Sequence, residues 1–240
     1  MNVASMGLRD PVLTAKACAT IDVLSGGRLL PAFGVGSALS RDFIATGRDT
    51  KGRGKRTEES LQIMSALWRE DSVNFQGDYY QLIDATISPK PVQSPMPLWV
   101  GGSAPQAIAR TARWGTGWQA GIESAAEIKP VIEAIKISAG ELGRKIDDDH
   151  FGAGFGFRFG KQSDPMVQKY NEVLEKRLGK DPAAYTAVGG VDEMMALVED
   201  FHAAGAHKFI LRPIASGTAD MIEQTNMLVE QLLPAINALN

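Results

Sequence analysis

Cysteine and histidine are almost absent: the 240 residues hold one cysteine, Cys18, and three histidines, His150, His202 and His207. A lone thiol cannot close an internal disulfide or build a multi-thiolate zinc site, so Cys18 reads as a small buried residue in a reducing cytoplasm. No histidine has a second ligand-type residue at metal spacing, and no metal is expected. Long apolar runs are also missing. Nothing approaches the roughly 18 residues of a bilayer span, and the N-terminal stretch has no charged n-region followed by a long apolar h-region. The expectation is a cytoplasmic chain without a membrane partner. Charge of one sign is not in excess, since 25 basic and 28 acidic residues leave a net charge of -3. Scattered in this way, the basic residues give no grip on a phosphate backbone, and nucleic acid is excluded as the main partner. Neither a Gly-x-Ser-x-Gly elbow nor a P-loop appears.

What is present is a repeating pattern. Hydrophobic residues make up 44% and charged residues 22%, enough for a substantial core. Residues 2–6 read as a strand, and Asp10 then caps a helix that opens with Pro11. In that helix Leu13, Ala17, Ile21 and Leu24 form one apolar face, and Ser25-Gly26-Gly27 ends it. Residues 29–34 form an apolar run that suits a buried parallel strand. A second helix follows behind Thr57, Glu58 and Glu59, with Leu61, Met64, Leu67 and Trp68 on one face. Residues 72–75 and 79–82 flank Gln76-Gly77-Asp78 as an inserted hairpin.

From residue 98 onward the alternation is regular. Strands are expected at 98–100, 118–120, 151–159 and 208–214, and helices at 105–114, 125–142, 191–204 and 221–239. In the last helix Ile222, Val229, Leu233 and Ile236 share a stripe, and residues 164–178 form an extra surface helix. Six strands each followed by a helix, plus one hairpin, belong to the α/β class, as a TIM (β/α)8-type barrel or a doubly wound sheet. Without a linker-like stretch, residues 1–240 are read as one domain. A closed barrel needs eight strands, so a barrel with these six is incomplete.

The chain resembles the luciferase-like monooxygenase family from residue 9 onward. The resemblance is carried by Asp10-Pro11-Val12-Leu13-Thr14-Ala15-Lys16, Ile21-Asp22-Val23-Leu24-Ser25-Gly26-Gly27-Arg28 and Gly34-Val35-Gly36. Further along it is carried by Pro89-Lys90-Pro91-Val92-Gln93, Leu98-Trp99-Val100-Gly101-Gly102-Ser103, Gly115-Thr116-Gly117-Trp118 and Leu211-Arg212-Pro213. It implies a TIM barrel that lacks its N-terminal β/α units, with FMN as cofactor or coenzyme F420 as the alternative. It also implies an oxidoreductase or monooxygenase activity on a small organic substrate, and a flavin reductase as a possible partner. Loss of the first units would expose a strand edge, which predicts a homo-oligomer. The rival reading is a non-catalytic shortened barrel that self-associates.

Barrel sites gather at the C-terminal ends of the strands. There Gly101-Gly102-Ser103-Ala104 leads into a helix at Pro105, so backbone N–H groups and the positive helix end face one point, a phosphate seat. The family holds its cofactor phosphate at the matching loop. Gly34-Val35-Gly36 occupies the equivalent end of the earlier strand; some flavin-using relatives have arginine where Val35 stands. Arg158 and Arg212 end later strands and are candidates for a phosphate or acidic substrate, with a salt bridge as the competing role. Trp118 is read as a stacking platform or as core. The basic stretch Lys51, Arg53, Lys55, Arg56 is read as solvated, with contact between one member and an anionic cofactor tail as the alternative. No catalytic acid or base stands out.

Overall fold

Parallel strands alternating with helices form the chain, in which the computed structural model describes residues 3–37, 40–179 and 181–237. Two packed units can be distinguished, residues 1–119 with 134–147 and residues 120–133 with 148–240.

In the first unit β1 (Ala4–Ser5) is followed by α1 (Pro11–Ser25). The Asp10 carboxylate accepts from the Val12 and Leu13 amides, each at 2.9 Å, and Gly26 ends the helix in the left-handed conformation. Next come β2 (Ala32–Gly34), the short α2 (Arg41–Ala45) and α3 (Arg53–Arg69). The hairpin β3 (Val73–Gln76) and β4 (Gln81–Ala85) precedes β5 (Trp99–Gly101), α4 (Pro105–Trp114) and β6 (Gly117–Gln119). The four strands β1, β2, β5 and β6 pair in that order, all parallel, so the ends of β2 and β5 lie side by side with Phe33 opposite Val100. The core between this sheet and α1, α3 and the hairpin holds Met6, Phe33, Leu61, Met64, Leu67 and Val100.

The buried side of α1 is not the expected one. Leu13 and Leu24 are 70% and 81% exposed, while Ala15, Cys18, Ala19 and Asp22 face inward. Small residues let α1 lie close to α3, close enough for the Trp68 indole to donate to the Ala15 carbonyl at 3.0 Å. Cys18, buried in this seam, has its thiol pushed up to about 11, chiefly by burial.

Asp22 explains two of the quoted sequence stretches. Its fully buried carboxylate accepts from the Val92 and Gln93 amides at 2.8 and 2.9 Å and from the Gln93 side chain at 2.6 Å. Gln93 also donates to the Leu29 carbonyl. This clasp ties the end of α1 and the start of β2 to the loop before β5. Burial works to raise the Asp22 pKa, but the hydrogen bonds from Gln93 and Val92 outweigh it and hold the carboxyl below its usual range.

α5 (Ala125–Glu141) leads to the remaining elements of the second unit. These are β7 (Phe151–Phe159), α6 (Pro165–Leu178), β8 (Thr186–Gly189), α7 (Val191–Ala203), β9 (Lys208–Pro213), α8 (Thr218–Met227) and, after a π-helical turn, α9 (Leu233–Asn237). β7 pairs in parallel with both β8 and β9. Its alternation places Phe151, Phe155 and Phe157 on one face, where Phe155 stacks on Phe201 of α7 with ring centroids 6.0 Å apart. Glycines take the other face; a Cβ at Gly154 would strike the Ile210 carbonyl of β9.

β8 is an element beyond the six expected strands. The C-terminal stripe is also displaced: Ile222 and Val229 are 55% and 51% exposed, whereas Gln224 and Leu232 are buried. Gln224 brackets Phe159 at the end of β7, accepting from its amide at 2.7 Å and donating to its carbonyl at 3.2 Å. The wide turn at Leu228–Leu232 then shifts the register of everything after it. Leu239, at the end of that expected helix, lies outside the described residues, as does Asn2 of the first expected strand. No helix among the described residues is long and apolar enough to cross a membrane.

Candidate functional site

α3 and α4 open onto the same space. Thr50, Gly52, Arg53, Gly54 and Lys55 from the start of α3 line a cavity of about 430 Å³ together with Val35, Ala104, Gln106 and Arg110. Neither Gly52 nor Ala104, the residues before the two helices, has a capping side chain. First-turn amides have no intrahelical partner, so both helices present donors and partial positive charge here. The full charges add to this. Glu58 engages Arg110 at 3.1 Å, which leaves Arg53 and Lys55 as the charges on the lining with no carboxylate partner among the described residues.

Each basic group has a distinct constraint. Arg53 Nε donates to the Gly36 carbonyl and Nη1 to the Thr50 carbonyl, both at 3.2 Å, and Nη2 has no partner among the described residues. The guanidinium is thereby held across the loop that follows β2 with one edge unused. The Arg110 side chain is only 5% exposed, and its Nε is a buried donor without a partner in the structure. Such a donor carries a desolvation cost of about 1–3 kcal/mol. Arg56 is buried and spent on structure: it donates to the carbonyls of Gly7, Asp49 and Lys51 and lies 5.5 Å from the Tyr79 ring centroid. The stretch read as solvated thus divides: Arg56 is core, Arg53 and Lys55 line the cavity, and Lys51 is exposed.

The expected cofactor residues divide in the same way. Val35 and Ala104 line the cavity. Gly36 and Gly102 shape the loops, with φ of 77° and 109°. The Gly102 carbonyl accepts from the Trp118 indole at 2.8 Å, and a Cβ on Gly102 would lie 3.2 Å from that of Ala107. Ser103 stands between Gly102 and Ala104 and is half-buried. Gly34 and Gly101 both pack under Val3, whose methyl groups lie 2.8 and 2.7 Å from where their Cβ atoms would be, so these glycines make room for that side chain.

Trp118 is fully buried, so it is core, and its indole bond braces the Gly102 turn. Arg158 takes the competing role of a salt bridge, meeting Asp164 at 3.1 Å and Asp220 at 3.0 Å and donating to the Ile214 carbonyl at 2.8 Å. Burial alone would lower the Arg158 pKa; its hydrogen bonds to Asp164 and Asp220 raise it instead. Arg212 is half-buried in β9 beside Gly156 of β7 and has no ion pair among the described residues. Sequence reasoning missed Arg110 and Gln106 altogether. The available signal was Arg110's place on α4 between Ala107 and Thr111, on the face that turns inward.

A family model described as luciferase-like monooxygenase matches residues 3–222, which spans both units. Among curated proteins, an F420-dependent glucose-6-phosphate dehydrogenase of Amycolatopsis mediterranei is 38% identical over 112 residues, 45% of this chain and 33% of that protein. An FMNH(2)-dependent dimethylsulfone monooxygenase of Pseudomonas putida is 33% identical over 141 residues, 57% of this chain and 39% of that protein. The matched stretches thus span less than half the length of these relatives. Among solved structures, an F420-dependent secondary alcohol dehydrogenase in complex with an F420-acetone adduct superposes with a TM-score of 0.78 at 22% identity, covering 95% of this chain and 75% of that one. Monooxygenase RslO1 from Streptomyces bottropensis gives 0.79 at 20% identity, covering 98% and 77%. At these identities the likeness is one of fold.

Proposed function

We propose, from the premise that the chain belongs to the luciferase-like monooxygenase family, that it is a flavin-type oxidoreductase holding its cofactor by the phosphate where α3 and α4 begin. The observation that carries the reading is the convergence of two uncapped helix starts with Arg53 and Lys55 on one cavity that Arg110 also lines. These residues fit a phosphate: backbone donors for its oxygens, two positive charges with no carboxylate partner among the described residues, and a Gly102 turn too tight for a side chain.

FMN is the first cofactor in this reading. F420 is the second, favoured by the 38% identity to an F420-dependent relative. When bound, such a cofactor supplies hydride transfer or oxygen transfer to a small organic substrate, chemistry that no side chain of the chain can provide. The roles of the chain's own residues are positional. Arg53, fixed on the Gly36 carbonyl, presents its free Nη2; Ala104 and Gln106 offer backbone amides; Trp118 holds the Gly102 turn. With FMN, a flavin reductase is the partner that supplies electrons. Residues 1–240 act as one domain, in keeping with the match of the family model across both units, and we read the chain as a homo-oligomer.

Titration with FMN and with F420, followed by fluorescence quenching, tests the assignment. Saturable binding of one cofactor is expected, weakened about 10- to 100-fold by Arg53→Ala, the value of one charge-assisted hydrogen bond. No saturation by either cofactor, or an unchanged affinity in the variant, would overturn it.

A further inference from the structure

We propose that the opposite ends of α3 and α4 form a second binding site, for a small carboxylate with an apolar body, separate from the cofactor seat and argued without reference to it. A cavity of about 590 Å³ lies there within the first unit, between the last turns of both helices, the hairpin and the approach to β5. That is within the range of small-ligand sites. Its apolar lining includes Val73, Met96 and Leu98, which are 3%, 4% and 2% exposed, with Phe75 and Trp114 half-buried beside them.

The charges around it can be sorted by what each already does. Arg144 donates from its two terminal nitrogens to the carbonyls of Ala112 and Gly115, which covers the negative end of α4. Lys90 covers the end of α3 in the same way through the carbonyls of Leu67 and Glu70. Arg69 meets Glu70 only at 3.8 Å, with both side chains more than half exposed, a contact of little energetic weight. Arg113 is different: it lines the cavity, is exposed, and has no hydrogen bond or ion pair among the described residues. With both helix ends already served, its charge stands without a carboxylate partner among the described residues at the mouth of a hollow whose lining mixes Val73, Met96 and Leu98 with Asn74, Gln62 and Glu70. A neutral occupant would leave that guanidinium unpaired and a cationic one would be repelled. A carboxylate carried on an aromatic or branched body satisfies both the rim and the lining.

Isothermal titration calorimetry with 4-phenylbutyrate, and with 4-phenylbutanol as its uncharged counterpart, tests the site. The acid should bind saturably and about tenfold or more tightly than the alcohol, the value of one charge-assisted contact. Arg113→Gln should lower the acid's affinity by about the same factor and leave the alcohol unchanged. Because Arg113 is exposed and unpaired, the variant should fold as the parent does, which circular dichroism checks, and its FMN titration should be unaltered. Equal binding of acid and alcohol, no saturation by the acid, or an acid affinity indifferent to Arg113→Gln would overturn the proposal. None of these outcomes bears on the cofactor seat, which shares no lining residue with this cavity.

Discussion

Replacing Asp22 by asparagine keeps the side chain's shape and removes its charge, at a position with no exposure to water. The carboxylate accepts three hydrogen bonds, two from main-chain amides at Oδ2 and one from the Gln93 side chain at Oδ1. An amide has one acceptor. In its better orientation it keeps the two main-chain bonds in weaker, neutral form and turns its own NH2 toward the Gln93 donor. Weakening two bonds costs about 1 kcal/mol and the opposed donors about 1–3 kcal/mol, so the loss is about 2–4 kcal/mol. For a chain of this length that lowers Tm by about 5–15 °C. Thermal unfolding followed by far-UV circular dichroism at pH 7 reads the effect directly. The pH dependence adds a second check. The folded pKa lies below that of a free aspartate, so the carboxylate's contribution is complete above the free value and is lost as pH falls through the folded pKa. The gap between parent and Asp22→Asn should therefore stay constant from pH 7 to about pH 5 and narrow in stronger acid. Equal Tm values at pH 7, or a gap that widens on acidification, would refute the reasoning.

Two other perturbations address the hairpin and the turn before α4. Glu59 accepts from the amides of Asp78, Tyr79 and Tyr80 at 2.8, 3.0 and 3.1 Å, so Glu59→Ala should cost about 2–3 kcal/mol and make the hairpin tip the first site of limited proteolysis, as mapped by mass spectrometry. Trp118→Phe removes the bond to the Gly102 carbonyl and should cost about 1–2 kcal/mol in urea unfolding; FMN affinity should fall with it, because the turn before α4 loses its brace.

Local chemistry was the most legible part of the fold. Asp10 before Pro11 marks the start of α1 without reference to anything distant, and α4 spans Pro105–Trp114, the residues expected. The buried face of α1 was hidden because it consists of alanine, cysteine and a carboxylate, while the leucines that dominate periodicity point outward. α3 begins a turn earlier than Thr57-Glu58-Glu59 suggests. Those acids are not there to serve the helix end, since Glu58 engages Arg110 and Glu59 holds the hairpin. The same early start places Arg53 and Lys55 in the first turn and directs them to the cavity, which a charge count along a loop cannot foresee. For the site, Val35 and Ala104 were within reach of strand-end reasoning. Val3 over Gly34 and Gly101, and Arg110 reaching Glu58 across 52 positions, depend on packing between distant segments.

The affinity of FMN compared with that of riboflavin, measured side by side by flavin fluorescence, tests the phosphate seat most directly, because the two differ only in the group that Arg53, Lys55 and the α3 and α4 amides are assigned to hold. Two charge-assisted contacts predict that FMN binds about 100-fold more tightly, with the advantage shrinking as salt is raised. Equal affinities for the two, or no binding of either, would contradict the seat.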